Sequence, residues 1–245
     1  MIISHSPQGT PQWFEDRAGA ITASMFAECR KRLKSGPNKG DYSSEAHAYA
    51  FRLAVERIKG AACDQDQYET YAMRRGKELE HDARMIHEER IGTFVEQGGF
   101  IMTDDRLFGF SADGFIGDDG LAEYKCFLDT TKVRKIMFEQ SIEEVADQVQ
   151  GGLWITGRKW CDSCLYYPDL ESIGLNLIVN RVFRDDDYIA ELETDLLAFN
   201  GLVMEYIEKI NRLAEKQNKS SALAAFAANE AAGDPAAPTS IEDLF

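Results

Sequence analysis

The sequence predicts an α/β chain with a sheet formed mid-chain and helices before and after it. Three patterns carry this. Residues 70–91 repeat apolar positions at three- and four-residue spacing, the mark of a long helix. Residues 94–126 switch to short apolar runs punctuated by Gly and Asp, giving strands near 94–102, 107–111, 113–116 and 120–126. Helical spacing then returns over Ile142–Thr156 and Asp185–Gln217, around two further strand-like stretches at 163–167 and 175–182.

In chain order, residues 1–12 hold Pro7 and Pro11 and read as an irregular lead-in. Thr22 or Ser24 suits the cap of a short helix reaching toward Arg32, and Ser35–Gly40 is a loop. Ser43 or Ser44 caps the next helix, whose Ala50, Leu53, Ala54 and Ile58 form an apolar stripe that Gly60 ends. In the 70–91 helix, Ala72, Gly76, Leu79, Ala83 and Ile86 form the buried stripe, and Glu80 lies one position off it. His81 and His87 are not four apart, so they make no helical zinc pair. A basic, helical connection follows the strands. The last helix places Leu196, Phe199, Val203, Ile207 and Ile210 on one side, with a break expected near Gly201. A domain over residues 1–217 followed by an Ala-, Ser- and Pro-rich disordered linker over 218–245 is the expected organisation.

At 245 residues and 44% hydrophobic content the chain has material for a proper core. It shows no charged start followed by an apolar run and no membrane-spanning stretch, so a soluble, cytoplasmic protein is expected. Five cysteines, an odd number, argue against a disulfide framework; Cys161-x-x-Cys164 lacks the second pair that zinc requires. The net charge of −15 opposes phosphate binding, which Lys and Arg drive. Its distribution is uneven. Arg30, Lys31, Arg32, Lys34 and Lys39 form one basic run and Lys132, Arg134 and Lys135 another, either a nucleic-acid lane or solvated faces.

The stretch richest in chemistry is Ser111–Lys125. Side chains alternate along a strand, so Leu121, Glu123 and Lys125 share one face while Tyr124 points to the other. Asp113 and Glu123 on neighbouring strands supply oxygen ligands for a hard divalent cation, with the Lys125 ammonium near an attacking water. The same spacing also occurs on solvated sheet faces. At the far end, Ser-Ile-Glu-Asp-Leu-Phe places a hydrophobic pair behind acids, as a peptide ligand does.

Four motifs in order, Arg17–Ser24, Arg75–Ala83, Ser111–Lys125 and Gln148-Val149-Gln150, resemble those of the phage lambda-type exonucleases of the YqaJ-like viral recombinase family, within the PD-(D/E)xK nuclease superfamily. The resemblance spans roughly residues 10–210. It implies a mixed sheet flanked by helices and a metal-dependent 5′-to-3′ exonuclease that leaves a 3′ overhang for single-strand annealing. Asp113, Glu123 and the Tyr124 carbonyl match metal ligands, Glu80 a helical acid near a second metal, Lys125 the lysine of the attacking water, and Gln150 a glutamine beside the site. Arg17 and Ser24 match groups that grip a 5′-phosphate. Lys34 falls at a duplex contact, with Arg30 and Arg32 beside it, and Met73 where an apolar side chain wedges the end apart. Ala112 replaces the motif's usual proline. Two Mg²⁺ ions, with Mn²⁺ as substitute, suit such a donor set. The implied partners are double-stranded DNA ends, a single-strand annealing protein, two further copies of the chain in a ring, and a sliding clamp or single-strand binding protein at Asp243-Leu244-Phe245. The rival readings are a restriction- or repair-type endonuclease of the same superfamily and a non-catalytic DNA-end or clamp-binding scaffold.

Overall fold

The computed structural model describes residues 1–63 and 70–232, with side chains described through Ser221. Two mixed sheets carry the architecture. The first has the order β1 (Ile2–Ser4), β4 (Phe100–Met102), β5 (Phe108–Ser111), β2 (Ile21–Thr22); only the β2–β5 pair is parallel. The second has the order β3 (Glu96–Gln97), β6 (Gly114–Ile116), β7 (Gly120–Lys125), β8 (Trp160–Tyr166), β9 (Leu177–Phe183), and only β7–β8 is parallel. A parallel pair needs a long crossover. Helices α5 (Thr130–Glu139) and α6 (Ala146–Thr156) supply it.

The chain passes from one sheet to the other between Ser111 and Gly114, so Asp113 stands at the junction. Two glycines permit this crossing. A Cβ on Gly98 would lie 2.2 Å from the Ala112 carbonyl oxygen, and one on Gly114 2.3 Å from Val95. Strand β7 is central and buried on both faces, as its near-continuous apolar sequence requires. Leu121 joins the main core with α3 (Ser44–Lys59), α6 and α7 (Asp186–Ala232), while Ala122 and Tyr124 join a second cluster with Ala83 of α4 (Tyr71–Ile91).

Local signals account for the helix ends. The Ser43 side chain accepts from the Ala46 amide, Thr70 from Met73, and Gly60 and Gly92 end α3 and α4 at φ of 69° and 64°. Four expectations change. The lead-in is ordered: β1 pairs with β4, and Thr10 caps α1 (Pro11–Asp16), where proline at the first helical position is favourable. Thr22 precedes a 3₁₀ turn, Ala23–Met25, without a side-chain cap bond, before α2 (Phe26–Arg30). Helix α7 runs unbroken through Gly201, where a glycine costs a helix only about 1 kcal/mol. It continues past residue 218 to Ala232 in place of the expected linker, because the Ala-rich composition that resembles a linker also has the highest helix propensity. The Asp243-Leu244-Phe245 ending lies outside the described residues.

Cys161 and Cys164 sit in β8, one in each core cluster and therefore on opposite faces. Burial pushes both thiols up, as it does for inert core cysteines. No described helix is long and apolar enough to cross a membrane.

Candidate active site

The site forms where β7 outruns its pairing with β6. That pairing reaches only Gly114↔Ala122, leaving the Tyr124 amide to donate instead to Asp113 Oδ2 at 2.8 Å. In an extended strand a residue's N–H and C=O point to the same edge, so the Tyr124 carbonyl faces the Asp113 side as well. On the Glu123 face, Lys125 Nζ donates to Glu123 Oε1 at 2.7 Å and to Gln148 Oε1 at 2.9 Å. Gln148 Nε2 completes the ring, 2.5 Å from Glu123 Oε1. Asp113, Glu123, Lys125 and Gln148 thus form one cluster.

Its charges are under strain. Burial pushes the Glu123 carboxyl up to about 8, and Asp113 adds to the rise. Burial raises Asp113 too, against the pull of Lys125 and the Tyr124 amide. Glu80, on α4, rises to about 7 through burial and the nearby Asp113, although Arg84 holds it at 2.8 Å and opposes the shift. Burial disfavours charge on Lys125, but Glu123 and Asp113 outweigh it and hold the ammonium protonated. Three carboxyls therefore lie close enough to raise one another's protonation, and one lysine and one arginine incompletely neutralise them.

Gln150 does not belong to this cluster. Its Nε2 donates to the Phe183 carbonyl at 2.9 Å and its Oε1 accepts from the Asp185 amide at 3.0 Å, tying α6 to the β9–α7 turn. Two residues along a helix are about 200° apart around it, so Gln148 and Gln150 cannot face the same site. Gln148→Ala is expected to cut turnover at least tenfold with little change in melting temperature. Gln150→Ala, which leaves the Phe183 carbonyl and the Asp185 amide without this partner, should cost about 1 kcal/mol of stability and keep turnover. Paired kinetics and melting curves check both.

Around Arg17 a second polar group assembles. Arg17 stacks its guanidinium 4.3 Å from the centre of the Trp13 ring and donates to Thr22 Oγ1 at 3.2 Å; Thr22 Oγ1 lies 3.5 Å from the exposed Ser24 hydroxyl. Arg17 and Ser24 are thus brought together through Thr22, a residue the sequence singled out only as a candidate helix cap. The same helix serves both groups. A Cβ on Gly151 of α6 would sit 2.4 Å from the Phe26 ring and 3.7 Å from Ala23, so α6 presses on the turn bearing Ser24 while Gln148 holds Glu123 and Lys125.

The basic runs divide. Arg30 is turned inward, bonded to Asp147 at 2.6 Å and Asp195 at 2.7 Å, and is a brace between α2, α6 and α7 rather than a DNA contact. Arg32 is exposed and stacks 3.3 Å from the centre of the Tyr42 ring. Lys34 lies in the exposed loop beside it. In the second run, Lys132, Arg134 and Lys135 pair with Glu144, Glu139 and Glu143, so local acids offset that lane. Met73 is 52% exposed in the first turn of α4, where an apolar side chain meets solvent.

The donor chemistry fits a divalent cation. Glu123 Oε2 is buried without a hydrogen-bond partner, beside Asp113 and the edge where the Tyr124 carbonyl points. A hard cation with oxygen ligands would satisfy that atom and the excess negative charge together. Among the described residues no three His, Cys, Asp or Glu side chains converge as a ready-made cage, and Lys125 supplies the positive charge at Glu123. Glu80 is engaged by Arg84, so a second cation on its side requires exchange of that partner.

Residues 12–159 match the YqaJ-like viral recombinase domain. No curated protein matches the chain. Among solved structures, an alkaline exonuclease (LHK-Exo) from Laribacter hongkongensis is 32% identical, over 85% of this chain and all of that one, with a TM-score of 0.70. The same enzyme in complex with dAMP superposes with a TM-score of 0.73. A phage related exonuclease from Haemophilus somnus 129PT shares the fold at 14% identity, over 78% of this chain and 96% of that one, with a TM-score of 0.58. The mixed sheets flanked by helices are those of the PD-(D/E)xK nucleases, and the chain belongs to the YqaJ-like viral recombinase family.

Proposed function

We propose that this chain is a Mg²⁺-dependent exonuclease that degrades one strand of linear duplex DNA from a 5′-phosphorylated end, leaving a 3′ overhang for single-strand annealing. The observation that carries this is the Asp113–Glu123–Lys125–Gln148 cluster, joined through α6 to the Arg17–Thr22–Ser24 group. Asp113, Glu123 and the Tyr124 carbonyl would hold the cation, with Glu80 next to them. Such an ion supplies Lewis-acid polarisation of the scissile phosphate and acidifies a bound water.

The protein's own groups do the rest. Gln148 bonds both Glu123 and Lys125, so it fixes the carboxylate relative to the ammonium. Lys125, held protonated here, orients water and steadies negative charge on the phosphate, and becomes a base only when its carboxylate neighbours are neutralised. Water attacks phosphorus, the P–O3′ bond breaks, and the released nucleotide takes the proton on its 3′ oxygen. The next nucleotide keeps that phosphate at its own 5′ end. Each cut therefore regenerates the group that Arg17 grips with forked, charge-assisted hydrogen bonds. Binding of dAMP by the Laribacter enzyme agrees with mononucleotide release.

A duplex carrying label on its 5′-phosphate should lose the label at once as a mononucleotide, while a 3′ label stays in long single strands; early loss of the 3′ label refutes the polarity. Arg17→Ala should slow action on 5′-phosphorylated ends at least tenfold and spare hydroxyl ends. Equal losses on both would remove Arg17 from end recognition. An annealing protein is the natural consumer of the overhang, and three copies of the chain around the duplex would help so acidic a protein retain DNA. A monomeric mass at working concentration would refute the ring. Asp243-Leu244-Phe245 is proposed to dock a sliding clamp or single-strand binding protein.

A further inference from the structure

On the opposite face of β7 from Glu123 lies a buried polar network that the reaction does not use. His87 of α4 and Asp162 of β8 are each 0% exposed, within the cluster formed by Ala83, Val95, Tyr124 and Cys164. His87 Nδ1 is 3.0 Å from the Tyr124 hydroxyl. Its Nε2 is 3.3 Å from Asp162 Oδ2, within ion-pair distance but off the direction of a hydrogen bond. Arg181 of β9 clasps Asp162 through two bonds of 2.8 Å and stacks 3.8 Å from the centre of the Trp160 ring. A carboxylate facing Nε2 favours the proton on that nitrogen, which assigns Nδ1 as acceptor of the Tyr124 hydroxyl.

Buried polar groups cost stability unless paired, so Tyr124, His87 and Asp162, closed at the half-exposed Arg181, are a fixed connection rather than filler. Where that connection ends is informative. Tyr124 is gripped at its phenol by His87 and at its backbone amide by Asp113, and its chain neighbours are Glu123 and Lys125. His87 lies about two helical turns beyond Glu80 on α4, at 3.6 residues per turn. Arg75, near the start of α4, donates to the Cys126 carbonyl just past β7 at 3.1 Å, and Arg90, near its end, to the Leu177 carbonyl of β9 at 2.7 Å. These two bonds go to backbone outside the acidic cluster. His87–Tyr124 is the one that reaches the strand residue Asp113 holds.

We infer that His87, Asp162 and the Tyr124 hydroxyl form a strut that positions α4 against β7, setting Glu80 and the Tyr124 carbonyl relative to Asp113 and Glu123 and so determining cation affinity. The inference rests on the metal-site reading above. His87 and Asp162 are positioning residues and touch neither cation nor DNA. Groups of this kind, one shell behind the ligands, change metal affinity about 10–100-fold when removed.

The test is calorimetric titration of Mn²⁺ into the full chain and into Tyr124→Phe and His87→Gln, well below their melting temperatures. Tyr124→Phe removes one hydroxyl and no backbone ligand. It should weaken Mn²⁺ binding about tenfold or more and raise the Mn²⁺ concentration for half-maximal cleavage in step. His87→Gln, which retains a polar partner for the hydroxyl, should fall between wild type and Tyr124→Phe. Lower melting temperatures with unchanged Mn²⁺ affinity in both variants would overturn the strut, leaving a purely structural network. Failure of the wild-type chain to bind Mn²⁺ would overturn the metal site itself, and the strut with it. Should Tyr124→Phe not fold, the His87→Gln titration decides alone.

Discussion

Lys125→Ala is expected to lower turnover by about 10²–10⁴-fold, the range for loss of a positioned proton-handling group, while duplex affinity changes little. Lys125 bonds Glu123 and Gln148 at once, so its removal takes away the cluster's central cation and one of the two restraints on Glu123, leaving only the Gln148 bond. In the proposed function, duplex binding would rest on other groups, Arg17, Ser24 and the Arg32–Lys34 loop. Single-turnover cleavage with a parallel binding titration separates the two. Lys125→Arg keeps the charge but exchanges a compact ammonium for a wide planar fork, and should not restore turnover. Undiminished cleavage by Lys125→Ala would remove the lysine from the mechanism.

Raising the pH should destabilise the metal-free protein, and Glu123→Gln should blunt that loss while abolishing cleavage. The carboxyl of Glu123 rises from an ordinary value of 4.5 to about 8, and that of Glu80 to about 7. A folded-state pKa above the unfolded one means that the native state binds more protons. The contribution is therefore fully present below the ordinary value of 4.5 and is lost as pH climbs through about 7 to 8. A cation that replaces those protons must stabilise the fold more at about pH 9 than at about pH 6, and must release protons as it binds. Melting curves in chelator and in Mg²⁺ at both pH values check this. Equal stabilisation by Mg²⁺ at the two pH values would contradict it, as would a Glu123→Gln variant no more stable than wild type in chelator at the higher one.

How much of this was legible in the sequence depends on how local each determinant is. Period-two alternation placed Glu123 and Lys125 together and Tyr124 opposite, and the structure keeps that arrangement because β7 is a regular central strand. Asp113 was legible as a carboxylate beside the turn, but its bond to the Tyr124 amide follows from where β6 pairing stops. The choice between Gln148 and Gln150 was not readable, since tertiary packing selects which helix face meets Glu123. Arg30 looked like its basic neighbours until Asp147 and Asp195 arrived from distant parts of the chain. His87 carried no motif at all. Only its complete burial beside Asp162 and Tyr124 marks it, and burial of one residue is a property of the whole fold.

One digestion tests end-dependent, metal-dependent cleavage most directly. Linear duplex with 5′-phosphorylated ends and a covalently closed circle of the same sequence are incubated with the protein in Mg²⁺, and again in chelator. Loss of the linear duplex to mononucleotides and single strands only in Mg²⁺, with the circle intact, is the predicted result. Cutting of the closed circle would contradict end-dependent action and indicate an endonuclease, and an untouched linear substrate in Mg²⁺ would leave a DNA-binding scaffold.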